Sequence, residues 1–104
     1  MTTRWIKATT TDAVAADDMV AIEIEGRHIA IYHVEGAFYA TANICTHAFA
    51  ILTDGFLDDY EIECPIHAGR FDVRSGKALC APASQNLEVY PLRIEGTDIL
   101  IGLN

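Results

Sequence analysis

The sequence predicts an all-β chain on two observations: short β-favouring runs recur in its first and last thirds, and three Glu-Gly pairs stand where hairpin turns would join such runs. β-branched and aromatic residues fill Val20 to Ile24, Ile29 to Val34 and Phe38 to Thr41, then Leu87 to Ile94 and Ile99 to Ile101. Glycine takes the positive φ that a tight hairpin loop demands, so Glu25-Gly26, Glu35-Gly36 and Glu95-Gly96 predict three antiparallel hairpins. Near the start, the alanine-rich stretch Thr11 to Asp18 opens with threonine and aspartate and predicts a turn or two of helix. From about Asn43 to Pro82 the strand rhythm breaks at Gly55, Pro65, Gly69 and Gly76. That stretch holds all three cysteines and two of the four histidines, and it reads as functional loops inserted on a β scaffold.

One domain is expected across residues 1–104, a length that supplies one core and not two. Fifteen acidic residues against seven basic ones give a formal charge of −8, which repels nucleic acid and anionic membranes. Solubility alone accounts for this acidity as well as a steering role does. No uninterrupted apolar stretch approaches the roughly 18 residues that span a bilayer, and Met1 to Asp12 lacks the basic start and apolar centre of a secretion signal. A cytoplasmic protein with no nucleic-acid or membrane partner is expected. Three cysteines are too few for a secreted disulfide scaffold, so metal binding or free thiols are expected instead.

Two short pairs stand out, Cys45-Thr46-His47 and Cys64-Pro65-Ile66-His67, separated by the sixteen residues Ala48 to Glu63. Each pair supplies one sulfur and one nitrogen. Its spacing lets both side chains point from a single loop toward a shared metal site, and the long interval lets two loops approach from opposite sides. Pro65 stiffens the second loop by fixing φ. Two cysteines and two histidines also make a tetrahedral zinc site, which leaves a zinc-stabilised interaction module as the competing reading. Common zinc modules keep cysteines and histidines in separate pairs, whereas here each loop offers one of each, as a site with two unlike metal atoms requires.

CTH followed by CPIH at this interval resembles the signature of Rieske-type [2Fe–2S] proteins. The stretch EIECPIHAGRFDVRSGKALCAPASQNLEVYPLRIEG, Glu61 to Gly96, is similar to the ferredoxin components of bacterial aromatic-ring-hydroxylating dioxygenase systems of the naphthalene dioxygenase type. With FYATANICTH the resemblance covers nearly the whole chain. It implies a Rieske fold: an antiparallel β sandwich or barrel-like base, about 1–43 and 83–104, with a cluster-binding subdomain of two ligand loops, about 44–82. It further implies one Rieske-type [2Fe–2S] cluster, with Cys45 and Cys64 on one iron and His47 and His67, through Nδ1, on the other. The implied function is one-electron transfer from a flavin-containing ferredoxin reductase to a terminal Rieske non-heme iron oxygenase in aromatic hydrocarbon catabolism. A Rieske subunit of another reductase or monooxygenase system is the alternative. The chain itself is expected not to be an enzyme, since no second cluster of histidines and a carboxylate is left for a mononuclear iron.

Departures from other Rieske proteins refine this expectation. Respiratory and photosynthetic relatives carry an additional cysteine in each ligand loop, and the two form a disulfide; here those positions read Ala50 and Ile66. The same relatives donate hydrogen bonds to cluster sulfurs from a serine and a tyrosine, where this chain has Gly69 and Phe71. Fewer such bonds stabilise the reduced cluster less, which places the expected potential at about −150 mV, low in the Rieske range. Ala48 stands where related ferredoxins usually have glycine.

Cys80 has no histidine nearby and is expected to pack rather than ligate, and His28 and His33 lie in a strand away from the loops. The run Asp58, Asp59, Glu61 and Glu63 reads first as a solvated loop and second as a docking contribution. Trp5, Tyr32, Phe38, Tyr39 and Tyr90 fit a β core, and Phe49, Phe56 and Phe71 are placed to cover a cluster.

Overall fold

The computed structural model describes residues 3–46, 49–66, 68–81 and 85–104. Its strands are β1 (Arg4–Thr10), β2 (Asp18–Ile24), β3 (Arg27–Val34), β4 (Ala37–Ala42), β5 (Phe56–Asp58), β6 (Glu61–Glu63), β7 (Arg70–Asp72), β8 (Ala78–Cys80), β9 (Leu92–Glu95) and β10 (Asp98–Leu103). They form three antiparallel sheets, ordered β1-β10-β9, β2-β3-β4 and β5-β6-β7-β8. The all-β expectation and the antiparallel hairpins are present as read from the sequence.

β3 shows why the layers stack as they do. Successive side chains of a strand face opposite ways, and from Ile29 to Tyr32 every residue of β3 is buried. Ile29 and Ile31 join Val14, Ile24, Ala40, Ile99, Ile101 and Leu103 in one core, facing the sheet of β1, β10 and β9. Ala30, Tyr32 and Val34 enter a second core with Ile62, Phe71 and Val73 of the four-stranded sheet. The central sheet is thus apolar on both faces, and the short sheet β5-β6-β7-β8 is packed on one of them. The Tyr32 hydroxyl, inside that layer, is satisfied at 2.9 Å by Thr41 Oγ1, and burial raises its pKa.

The turns follow the glycines. Glu25 and Gly26 have φ of 52° and 78°, and Glu35 and Gly36 have 54° and 77°, two positive values per loop as a type I′ turn requires. The third pair is displaced by one residue: β9 runs through Glu95, the loop is Gly96-Thr97, and only Gly96 takes a positive φ, the pattern of type II′.

Three expectations change. Thr11 to Asp18 forms only a 3-10 turn at Thr11–Ala13, because backbone bonds from Thr11 N to Thr97 O and from Asp17 N to His33 O hold its ends to the β9–β10 turn and to β3. Leu87 to Ile94 is not one strand. Leu87 and Val89 pair singly with Gly76 and Thr41, Pro91 has no N–H, and the ladder starts at Leu92. β1 gave no sequence signal, since none of its residues is fully buried and a bulge between Lys7 and Thr9 shifts its register on β10.

Candidate metal centre

Cys45 and Cys64 each begin a loop of the same design. The Cys45 N–H donates to the Ala50 carbonyl at 2.9 Å, and the Cys64 N–H donates to the Gly69 carbonyl at 2.8 Å. Five residues separate donor and acceptor in both. Beyond these closures the arms pair, Ile44 with Ile51 below the first loop and Glu63 with Arg70 below the second. One loop thus crowns an isolated bridge after β4 and the other crowns the β6–β7 hairpin.

The two cysteines meet. Both are buried in one apolar cluster with Ala50, Leu52, Ile62, Phe71, Val73 and Leu87, and their side chains are hydrogen-bonded to each other. Burial pushes the Cys64 thiol up; the Ile66 backbone N–H, bonded to its sulfur, opposes this, and the adjoining Cys45 adds to the rise. That N–H is a donor already in place for a thiolate. Loss of the Cys64 thiol proton must therefore accompany metal binding here.

Gly55 permits the two loop bases to approach. A Cβ there would lie 2.0 Å from the Glu63 carbonyl oxygen and 3.1 Å from Pro65 Cδ, so no side chain fits between the segment leaving the first loop and the segment entering the second. A third segment leans on both loops: Thr46 Oγ1 donates to the Gln85 carbonyl at 2.9 Å, and the Cys80 thiol lies 3.9 Å from the Ala68 carbonyl. Cys80 pairs with Arg70 in the β7–β8 ladder and is exposed, so it does not take the packing place expected of it.

His47 and His67 lie outside the described residues, as do Ala48 and Pro82. No group of three or more potential ligands occurs among the described residues. Two thiols brought together from matched loops fit a two-iron group that takes sulfur on one side and nitrogen on the other, and the histidines stand at the loop positions, one per loop, that such a group would use.

The aromatic residues divide. Phe71 is fully buried in the cysteines' cluster, as expected, whereas Phe56 is exposed and Phe49 is fully exposed at 102%. Phe49 therefore does not cover the thiols, whereas Ala50 is buried in their cluster. Trp5 is also half-exposed, beneath the Arg93 guanidinium at 4.6 Å. Of the acidic run, Glu61 and Glu63 are bridged to Arg70 at 3.2 and 2.8 Å. His33 has a structural place: its Nδ1 is 2.9 Å from the Val14 carbonyl, and its ring stacks on Phe38.

Sequence reasoning passed over Asn43. It is buried, two residues before Cys45, and its amide is bonded on both sides to Thr53. An uncharged amide beside a cysteine motif, between apolar residues, is the signal that could have drawn notice.

The family model described as "Rieske [2Fe-2S] domain" matches residues 4–91. Over 104 residues, all of both chains, the sequence is 49% identical to the ferredoxin component of the naphthalene 1,2-dioxygenase system of Pseudomonas aeruginosa. The ferredoxin of Sphingomonas yanoikuyae B1 superposes with a TM-score of 0.92 at 34% identity, covering 97% of this chain and all of that one. A chain from the complex of reduced oxygenase and oxidized ferredoxin in carbazole 1,9a-dioxygenase superposes at 0.89 with 31% identity, covering 93% and 91%.

Proposed function

Because the chain belongs to the Rieske [2Fe–2S] family, we propose that it takes electrons singly from a flavin-containing reductase and delivers them to a terminal aromatic-ring-hydroxylating oxygenase. It is an electron carrier rather than the catalyst. A Rieske-type cluster, when bound, accepts and returns one electron per cycle. Cys45 and Cys64 would hold one iron as thiolates, and His47 and His67 the other as neutral imidazoles. The Ile66 N–H would remain a donor to the Cys64 sulfur, and Phe71 would keep water from the sulfur side. The division into a base of about 1–43 and 83–104 and a cluster-binding part of about 44–82 belongs to the same proposal, as does a cytoplasmic location. No helix among the described residues is long and apolar enough to cross a membrane.

The observation that carries this reading is the meeting of two buried thiols at the heads of matched loops. The loop sequences CTHAFA, CPIHAG and CAPASQNL contain no charged residue, in a chain of net charge −8. Phe49 and Ile66 are exposed there, beside the two motif histidines in sequence. We propose that this uncharged, apolar tip serves reductase and oxygenase in turn through small, transient contacts.

Visible absorption, the spin signal of the reduced protein and metal analysis test the centre together. Two irons per chain with a coloured, spin-active reduced state are expected. A colourless, spin-silent protein with stoichiometric zinc would replace the carrier by a zinc-stabilised module.

A further inference from the structure

We infer that Asn43 is a positioning residue for the first ligand loop, its side chain standing in for a strand ladder that this loop lacks. The inference rests on reading the two loops as the holders of the cluster.

The two loops are supported unequally. The second crowns β6 and β7, which pair at Glu61 with Asp72, Ile62 with Phe71 and Glu63 with Arg70, and β5 and β8 flank them. The first has one bridge, Ile44 with Ile51, and below it the chain passes from the end of β4 on one arm to a 3-10 turn, Leu52–Asp54, on the other. A single bridge holds the arms by two backbone bonds, fewer than the three-pair ladder under the second loop.

Asn43 closes the gap with four hydrogen bonds. Its N–H donates to the His28 carbonyl at 2.9 Å, which fixes it to β3, and its carbonyl accepts from Leu52 N at 2.8 Å as one of the two backbone bonds of the Ile44–Ile51 bridge. Its Oδ1 accepts from Thr53 N at 2.9 Å, and its Nδ2 donates to Thr53 Oγ1 at 2.9 Å. The side-chain amide has one carbonyl and one N–H face, like a peptide group, and it pairs with Thr53 as the next rung of a ladder would. At 2% exposure, water cannot take over these bonds. Because the bridge's other bond runs from Cys45 N to Ala50 O, the position of Asn43 and Thr53 fixes where Cys45 stands against Cys64.

The test compares Asn43→Ala, Thr53→Val and Thr53→Ser with the parent chain as purified. Three readouts are used: bleaching of the visible chromophore by a ferrous-iron chelator, the spin signal of the reduced protein, and amide exchange by segment. Removing a buried partner disfavours the closed loop enough that Asn43→Ala should bleach about tenfold faster or more. Thr53→Val should fall between it and the parent, and Thr53→Ser, which keeps the hydroxyl, should match the parent. Faster exchange should be confined to residues 45–53, with β3 and β10 unchanged, and the spin signal should change in Asn43→Ala and Thr53→Val and be restored in Thr53→Ser. Parent-like bleaching and spin signal in Asn43→Ala would overturn the inference, as would exchange rising equally in β3 and β10. If Asn43→Ala does not fold, parent-like behaviour of Thr53→Val overturns it. A parent chain without the chromophore would overturn the cluster reading instead, and segment exchange would then decide the clamp by itself.

Discussion

Phe49 presents a whole aromatic side chain to solvent in a loop without charge, and exposing such a ring is unfavourable unless another surface covers it at times. If it contacts the redox partners, Phe49→Asp should slow electron delivery to an oxygenase about tenfold while leaving the midpoint potential unchanged, and stopped-flow mixing of the reduced protein with oxygenase measures this. Equal rates would remove Phe49 from the contact. Gly55 makes a different claim at the same scale. Its φ of −92° is not the left-handed value that favours glycine, and what demands glycine is space: a Cβ would lie 2.0 Å from the Glu63 carbonyl. Gly55→Ala should cost about 1–3 kcal/mol or more in denaturant unfolding, as forced overpacking does, and should lower iron content. The sequence marks Gly55 only as a break in the strand rhythm. That it separates two loop bases depends on residues eight and ten positions later, which no local pattern reveals.

Among the elements, legibility followed length and patterning. β3 and its two Glu-Gly turns were readable because five of its residues, Ile29 to Tyr32 and Val34, alternate between two cores and the turns need positive φ at both positions. β5 to β8 have three residues each, too few for a period, and they are held together by cross-strand partners such as Arg70 with Glu61 and Glu63. One side-chain pair there has a pH signature. The Arg74 guanidinium and backbone N–H hold the Asp72 carboxyl below the usual carboxylate range, with partial burial opposing them. A folded-state pKa lowered in this way contributes stability that is present above the unfolded value of about 3.9 and is lost as pH falls through the folded value. Asp72→Asn should therefore be less stable than the parent at pH 6, and the difference should shrink as pH falls from about 5 toward 3, as followed by denaturant midpoints. A difference that stayed constant over that range would exclude the ion pair as its source.

At the scale of the molecule, the central sheet is buried on both faces, one packed against the sheet of β1, β10 and β9 and the other against the small sheet whose β6–β7 loop begins with Cys64, while the Cys45 loop follows β4. The four-residue signature was legible because its chemistry needs particular side chains at fixed spacing, and the structure brings its two sulfurs together. Asn43 was not legible in this way: its partner is ten residues on, and only the fold makes them a pair. The lack of hydroxyl donors at Gly69 and Phe71 predicts a midpoint of about −150 mV in a redox titration; a value well above zero would contradict the account of the sulfur environment. The ligand set is tested most directly by nitrogen hyperfine spectroscopy of the reduced protein grown with 15N-histidine. Two histidine nitrogens coupled to the electron spin are predicted, with coupling lost when His47 or His67 is replaced, and a reduced centre showing no 15N coupling would contradict the assignment of these four residues.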